Sequence, residues 1–332
     1  MERDCIEKTF KIKDWNNMNM TYKIGMIGMG SIGNRHLKNV LMLLQKKNRS
    51  FCIDIIRSGK GNPINKDIMQ FIDNIYYNYE DAPSNYDIIF ITNPTFMHYE
   101  TIKQFVSKTK HMFIEKPVFE SINVSLDTLH LKENSIYYVA CPLRYTKVIQ
   151  YLKQNIKLGD VFSVRVICSS YLPEWRQDQD YRDTYSAHID QGGGVSIDLI
   201  HEWDYIYYLF GQPRNVMNIK GKFSNLEIDS DDLSIYIADY VTMAVEVHLD
   251  YFGRKNSREI QIFTEDDTIV GDLVNSEVHF LKSGQRIQFN EERNGFQIKE
   301  IEHFFDIIDG KEMNDNDINH GLKILNIVMG DK

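Results

Sequence analysis

The sequence has little that would cross-link it or carry it into a membrane. Of 332 residues only four are cysteines, Cys5, Cys52, Cys141 and Cys168, and none forms a C-x-x-C pair. They read as separate reduced thiols of a cytoplasmic protein, neither a disulfide framework nor a zinc cage. No apolar run approaches the ~20 residues that span a bilayer. The opening MERDCIEKTFKIKDWNNMNM lacks an apolar h-region, so no secretory signal is expected and the Asn-x-Ser/Thr sequons carry no weight. A dense basic block is missing as well. Acidic residues outnumber basic ones, 47 to 38, for a net charge of −9, which does not suit a phosphate backbone. No internal repeat or low-complexity tract stands out. The expectation is a soluble cytoplasmic protein with neither a nucleic-acid nor a membrane partner.

What is present is ordinary globular composition, 42% hydrophobic and 26% charged, at a length suited to about two domains. From Tyr22 onward, short apolar runs alternate with segments of helical length. YKIGMIG (22–28), FCIDII (51–56), DIIFIT (87–92), HMFIE (111–115) and SIYYVA (135–140) have the length and side chains of buried parallel strands. Helices are expected over 34–47, where Leu37, Leu41 and Leu44 form a stripe, and over 97–109. This alternation implies βαβ units in an open, doubly wound parallel sheet. The second half differs. A long helix is expected after Gly192-Gly193-Gly194, then closely spaced strands within 216–223, 233–240, 242–252 and 258–263, and helices over 297–308 and 317–329. That spacing predicts a mostly antiparallel, open-faced α+β domain. The division expected is a tail over 1–21, a dinucleotide-binding domain over 22–145 and a second domain over 146–332.

Gly28-Met29-Gly30-Ser31-Ile32-Gly33 matches G-x-G-x-x-G between a strand and a helix. In that context Gly28 permits the tight turn, Gly30 lets a pyrophosphate approach the backbone, and Gly33 lets helix and strand pack closely. The helix start at Ser31 and Ile32 supplies N–H donors for an anion. An NAD-selective strand ends in an acidic residue. Here Asp54 lies inside the second strand, while Arg57 and Ser58 follow its end. A guanidinium pairs well with a 2′-phosphate, so NADP is slightly favoured over NAD.

Four motifs then occur in order: GMGSIG, TNPTFMH (92–98), Glu115-Lys116-Pro117 and GGGVSIDLIHEWD (192–204). Together they resemble the Gfo/Idh/MocA family of sugar and polyol oxidoreductases, from about Tyr22 to Met329. HLDYFGR and EIEHFFDIIDGK resemble a branch met among surface-sugar genes. The resemblance implies that Lys116 lies beside the nicotinamide and the substrate hydroxyl and helps move its proton. It also implies that Asn93, Pro94, His98, Glu115 and Pro117 shape the cofactor pocket. Many family members carry Asp and, four residues later, His. Here Asp198 matches, but the fourth residue on is Glu202 and His201 comes one early.

On one helix, Asp198, His201, Glu202 and Tyr205 share a face, with Leu199, Trp203, Ile206 and Phe210 forming the core stripe beside it. His201 is the candidate acid/base, Asp198 its orienting partner, and Glu202 either a replacement for it or a ligand for a sugar hydroxyl. Tyr205 stands where H-E-x-x-H would need its second His, and no metal is required. Arg144 is a candidate substrate contact by resemblance. Tyr171, Trp175, Arg176 and Arg182, in a polar aromatic loop, offer ring faces for a sugar and charge for a phosphate or carboxylate. His188 is a weaker candidate.

The expected function is an NAD(P)-dependent oxidoreductase acting on a sugar or nucleotide sugar, as a homo-oligomer, dimer or tetramer. The competing expectation is a non-catalytic NAD(P)- or sugar-binding regulatory protein of the same fold.

Overall fold

The computed structural model describes residues 21–60 and 63–330. The tail expected over 1–21 therefore lies, but for Thr21, outside the described residues. The chain forms two compact units. The first comprises the chain up to Phe119 with Asn123–Ala140 and Glu300–His320. The second comprises Glu120–Ile122, Cys141–Lys299 and the chain from Gly321.

The first unit begins with β1 (Tyr22–Ile27), α1 (Ser31–Lys46), β2 (Phe51–Ile56), a single turn α2 (Lys66–Met69), β3 (Asn74–Tyr76) and β4 (Tyr86–Ile91). There follow α3 (His98–Phe105), β5 (Thr109–Ile114) and β6 (Tyr137–Val139). All six strands are parallel in the order β3-β2-β1-β4-β5-β6. This is the dinucleotide-binding arrangement, with β1 at the centre and its carboxyl end at the switch point. Ile24, Ile53, Ile88, Phe90 and Phe113 are fully enclosed between the layers. Chain from the far end of the sequence completes this core. Phe304 packs edge-on against Phe113 with ring centroids 5.3 Å apart. Asn316 closes the open edge of β6, its carbonyl accepting from Val139 N at 2.8 Å and its Nδ2 donating to Val139 O at 2.7 Å.

The second unit contains α4 (Lys147–Asn155), β7 (Val161–Tyr171), α5 (Val195–Asp198) and α6 (Ile200–Phe210). After these come β8 (Asn215–Gly221), β9 (Leu233–Asp239), β10 (Ala244–Asp250), β11 (Phe252–Thr264), β12 (Thr268–Asp272), β13 (Glu277–Phe280) and β14 (Arg286–Gln288). The eight-stranded sheet runs β14-β13-β12-β11-β7-β10-β9-β8. It is antiparallel throughout except for the β7–β10 pair. The chain ends with α7 (Gly295–Ile308) and α8 (Ile318–Met329), each carrying residues of both units. Among the described residues no helix is long and apolar enough to cross a membrane.

Two differences from the sequence reading bear on function. β7, at the heart of the second sheet, and the short strands β3 and β12–β14 lay outside the predicted set. β7 buries Val161, Val164, Val166 and Cys168 but turns Phe162 and Arg165 outward, so one face looks like loop. The single helix expected after the glycines is instead two. Leu199, at φ −97° and ψ 20°, breaks the chain between α5 and α6. Asp198 and His201 therefore do not share a helix face, although Leu199, Trp203, Ile206 and Phe210 are buried as expected.

Arg144 is a correction of a different kind. It is 1% exposed, donating from Nε and Nη2 to the two oxygens of Asp204, each at 2.6 Å, with its guanidinium over the Tyr208 ring. A charge so enclosed fastens the turn before α4 to α6 and is not a substrate contact. Breaking such a buried pair on one side strands a charge and costs about 3–5 kcal/mol. Arg144→Leu should therefore lower the urea midpoint sharply, while Arg144→Met with Asp204→Leu recovers most of the loss. A single variant with an unchanged midpoint would remove the structural role assigned to the pair.

Candidate active site

In the first unit the glycine turn is fixed by what a side chain would strike. Gly28 has φ +87°, and a Cβ there would lie 2.6 Å from Asn93 N. At Gly33 it would lie 2.3 Å from Gly28 O and 2.7 Å from Thr92 Oγ1. Thr92 Oγ1 bonds the carbonyls of Ile27 and Gly28 at 2.9 and 2.8 Å, and Asn34 Nδ2 donates to those of Met29 and Gly30 at 2.9 Å each. Gly30, the N-cap of α1, has nothing within 4 Å of its Cβ direction. The turn is thus tight where backbone meets backbone and open where an anion would approach Ser31 and Ile32. A dinucleotide pyrophosphate fits such a cradle.

Asp54 is 1% exposed and accepts from Tyr86 Oη at 3.0 Å and Asn74 Nδ2 at 2.8 Å. It is a sheet residue and does not reach a ribose. Arg57 follows the end of β2, with its backbone N–H on Tyr76 O, and Ser58 is exposed next to it.

Glu115 and Lys116 leave the carboxyl end of β5, the same sheet edge as the glycine turn. Glu115 is paired with His36 of α1, and its other oxygen accepts from Lys116 N at 3.1 Å. Burial pushes the Glu115 carboxyl up, but His36 and the Lys116 charge outweigh it and hold the group below the usual carboxylate range. The Lys116–Pro117 peptide is cis.

His98 is 1% exposed, with Nδ1 3.1 Å from Pro117 O and Nε2 3.0 Å from Asn93 O. Burial lowers its pKa against the pull of those carbonyls. With both nitrogens engaged, this ring joins the segment after β4, including Pro94, to the turn after β5 and has no atom left for a cofactor. Asn93 Oδ1 in the same segment is buried without a hydrogen-bond partner, an acceptor to which a bound group can donate.

In the second unit Asp198 receives the Tyr251 hydroxyl at 2.6 Å. Burial and the Asp198 charge raise the Tyr251 pKa well above its ordinary value. Trp175 meets the Tyr251 ring edge-on at 5.2 Å and donates from Nε1 to Ser170 Oγ at 3.0 Å. The Arg254 guanidinium sits 3.8 Å from the Tyr171 ring centre, and that of Arg176 5.7 Å from Tyr185. Trp175 thus approaches Asp198 through Tyr251, and Arg176 through Tyr185, which is hydrogen-bonded to the same carboxylate. Arg182 stands elsewhere. Its guanidinium is already answered by Asp180 at 2.6 Å and Glu227 at 2.9 Å, which corrects its assignment as an anion holder. His188 is engaged with Arg182 O at 2.7 Å.

Glu202 is also a correction. It is 0% exposed, with Tyr205 Oη donating to Oε2 at 2.7 Å and Arg258 Nε 2.9 Å from Oε1. Burial pushes its carboxyl up, but Arg258, His201 and Tyr205 together hold it below the usual range. A carboxylate closed off in this way neither exchanges protons with a substrate nor reaches a sugar hydroxyl. Tyr205, equally buried, belongs to the same cluster. His201 keeps 15% of its side chain exposed. The residues missed by sequence reasoning are His36, Tyr251, Arg254 and Arg258. HLDYFGR contains two of them, but only strand pairing brings Arg258 beside Cys168 and Tyr251 to Asp198.

Residues 22–136 match the model of the oxidoreductase family GFO_IDH_MocA, NAD-binding Rossmann fold. An uncharacterized oxidoreductase of Synechocystis sp. is 25% identical over 146 residues, 42% of this chain and 39% of its own length. Glucose-6-phosphate 3-dehydrogenase of Bacillus subtilis is 23% identical over 257 residues, 75% of this chain and 69% of its own length. The chain thus spans about two fifths of the first relative and about two thirds of the second. In fold it is similar to the WlbA dehydrogenase from Bordetella pertussis in complex with NADH and UDP-GlcNAcA, with TM-score 0.74, 15% identity, and 93% and 95% of the two chains covered. The family match is thus to the NAD-binding Rossmann fold and covers residues 22–136, about a third of the chain.

Proposed function

We propose that this protein is a nicotinamide-dependent oxidoreductase that interconverts a hydroxyl and a ketone on a sugar or nucleotide sugar. The observation that carries the reading is the pairing, in one unit, of an open glycine cradle with the Glu115-Lys116-Pro117 turn on the same sheet edge. The sugar class is drawn from the similar glucose-6-phosphate 3-dehydrogenase and from the nucleotide-sugar complex of a protein similar in fold.

Gly28, Gly30, Gly33 and the first turn of α1 hold the pyrophosphate, and Asn93 offers Oδ1 as an acceptor. When bound, the nicotinamide supplies the hydride acceptor or donor. Lys116 takes the proton of the reacting hydroxyl as its carbon gives up hydride, and returns it in the reverse direction. Glu115, kept anionic by His36, fixes the Lys116 peptide N–H and so the start of that side chain. His98 holds the two cofactor-side segments together. In the second unit His201 is the candidate acid/base, and Trp175, packed on the Tyr251 ring whose hydroxyl bonds Asp198, is a candidate ring face for a sugar.

A cytoplasmic homo-oligomer remains the expected form. Exposed Met217 and Ile219 on β8 and Ile237 on β9, next to one another by register, support a second copy covering that face.

Lys116→Ala should keep its cofactor affinity within about twofold yet lose about 10²- to 10⁴-fold in kcat. A panel of sugars and nucleotide sugars, read by the absorbance of the reduced nicotinamide, is the assay. Ligand-dependent stabilisation with no absorbance change for any of them would instead identify a sensor. For the dinucleotide, Arg57 at the end of β2 favours a 2′-phosphate, whereas the complex of the WlbA dehydrogenase, similar in fold, holds NADH. The Arg57 reading expects Arg57→Ala to weaken NADP(H) about tenfold while leaving NAD(H) nearly unchanged. Equal weakening of both in titrations would remove it.

A further inference from the structure

The exposed arginines Arg165, Arg182 and Arg214 of the second unit are each answered by a carboxylate, from Glu246, Asp180 and Asp239. Arg254 is exposed like them, but among the described residues no carboxylate meets it. Its guanidinium instead lies 3.8 Å from the Tyr171 ring centre. At that distance the flat group rests on the ring face, held by cation–π attraction, and its in-plane N–H groups are left for other acceptors.

The backbone under Arg254 is shaped for this exposure. β7 and β11 pair at Tyr171–Phe252 and resume at Ser169–Ser257, so Ser170 alone stands opposite the four residues Gly253–Asn256. Such a bulge turns side chains out of the sheet. It opens at Gly253, where a Cβ would lie 1.8 Å from Ser169 Oγ. Asp250 fixes its first turn, accepting from Phe252 N at 3.0 Å and Gly253 N at 2.7 Å. That carboxylate is buried and also lies 3.1 Å from His248 Nε2, so it is committed to the bulge backbone and its own strand. Arg254, Lys255 and Asn256 all face solvent. The bulge thus presents two positive charges, with no carboxylate paired to either among the described residues, in a chain of net charge −9.

We propose that the β11 bulge is a phosphate subsite, in which Arg254, held on Tyr171, forks onto two oxygens of a phosphate ester and Lys255 adds its charge. A ring-held guanidinium loses little freedom when it grips a ligand. Two positive charges suit a phosphate, with its greater charge and additional oxygens, better than a single carboxylate. Tyr171 is then the platform of an arginine, with one ring face already covered, and not a surface for the sugar. This deepens the function proposed above by making the ligand a phosphorylated sugar, either a sugar phosphate or a nucleotide diphosphate sugar. It rests on that reading for the sugar part of the ligand alone.

The test is calorimetric titration of the full chain with glucose, glucose 6-phosphate and UDP-glucose. NADH is present throughout, to fill the glycine cradle where a phosphate would also bind. At least one phosphorylated probe should bind about tenfold or more tighter than glucose, and which one does so tells a sugar phosphate from a nucleotide sugar. Arg254→Met, which strands no carboxylate and should keep the wild-type melting temperature, is expected to remove about tenfold of that affinity. Its affinity for NADH should stay within about twofold, and Arg214→Met, which removes an equal charge elsewhere on the unit, should bind every probe as wild type does. Phosphorylated probes that bind no tighter than glucose, or that bind Arg254→Met as well as wild type, would overturn the proposal. Because binding is read without turnover, failure of the oxidoreductase reading is seen separately, as Arg254-dependent binding of a phosphorylated probe with no change in nicotinamide absorbance.

Discussion

Three carboxylates within one seven-residue stretch, Asp198, Glu202 and Asp204, lie almost out of reach of water, and each commits a different part of the second unit to a fixed place. A buried carboxylate without a donor is costly enough to unfold a domain of ordinary stability. Asp198 takes the Tyr251 hydroxyl, Glu202 takes Tyr205 and Arg258, and Asp204 takes Arg144. The break at Leu199 lets these groups diverge, since on one uninterrupted helix Asp198 and Glu202 would point the same way. The charge that looks like an active-site cluster in sequence is thus mostly scaffold, and His201 is the part that still reaches solvent.

The first unit solves a different problem, that of bringing backbone within reach of backbone. Gly28 and Gly33 allow contacts that no side chain would tolerate, and Thr92 and Asn34 satisfy the carbonyls crowded there. Around this turn the ionisable groups work as ties. His36 joins α1 to the turn after β5, and His98 joins the segments after β4 and β5. Neither tie depends on net charge, which at −9 does nothing to attract an anionic cofactor.

How much of this was legible in the sequence depended on range. The glycine turn, the parallel strands and the Glu115-Lys116-Pro117 turn are local patterns, and the parallel sheet and the mostly antiparallel sheet that follows it could be read from spacing. Arg144 was misread because its partner lies 60 residues away, and nothing near it in sequence signals burial. Glu202 was misread for the opposite reason. Its neighbours His201 and Asp198 suggested a shared face, whereas the partner that decides its role, Arg258, arrives through the pairing of β7 with β11. β7 itself was invisible because half of its side chains face outward.

The return of Glu300–His320 to the first unit has a bearing on how the protein is made. Phe304 completes the core beside Phe113, and Asn316 closes the edge of β6. Both leave the ribosome long after the six strands they serve, so the nascent Rossmann sheet waits through synthesis of most of the second unit with an unpaired edge and an incomplete core. Such an edge invites pairing with other chains. The module that resembles an independent N-terminal domain in sequence is, in folding terms, finished only near the end of synthesis, just before α8 completes the second unit.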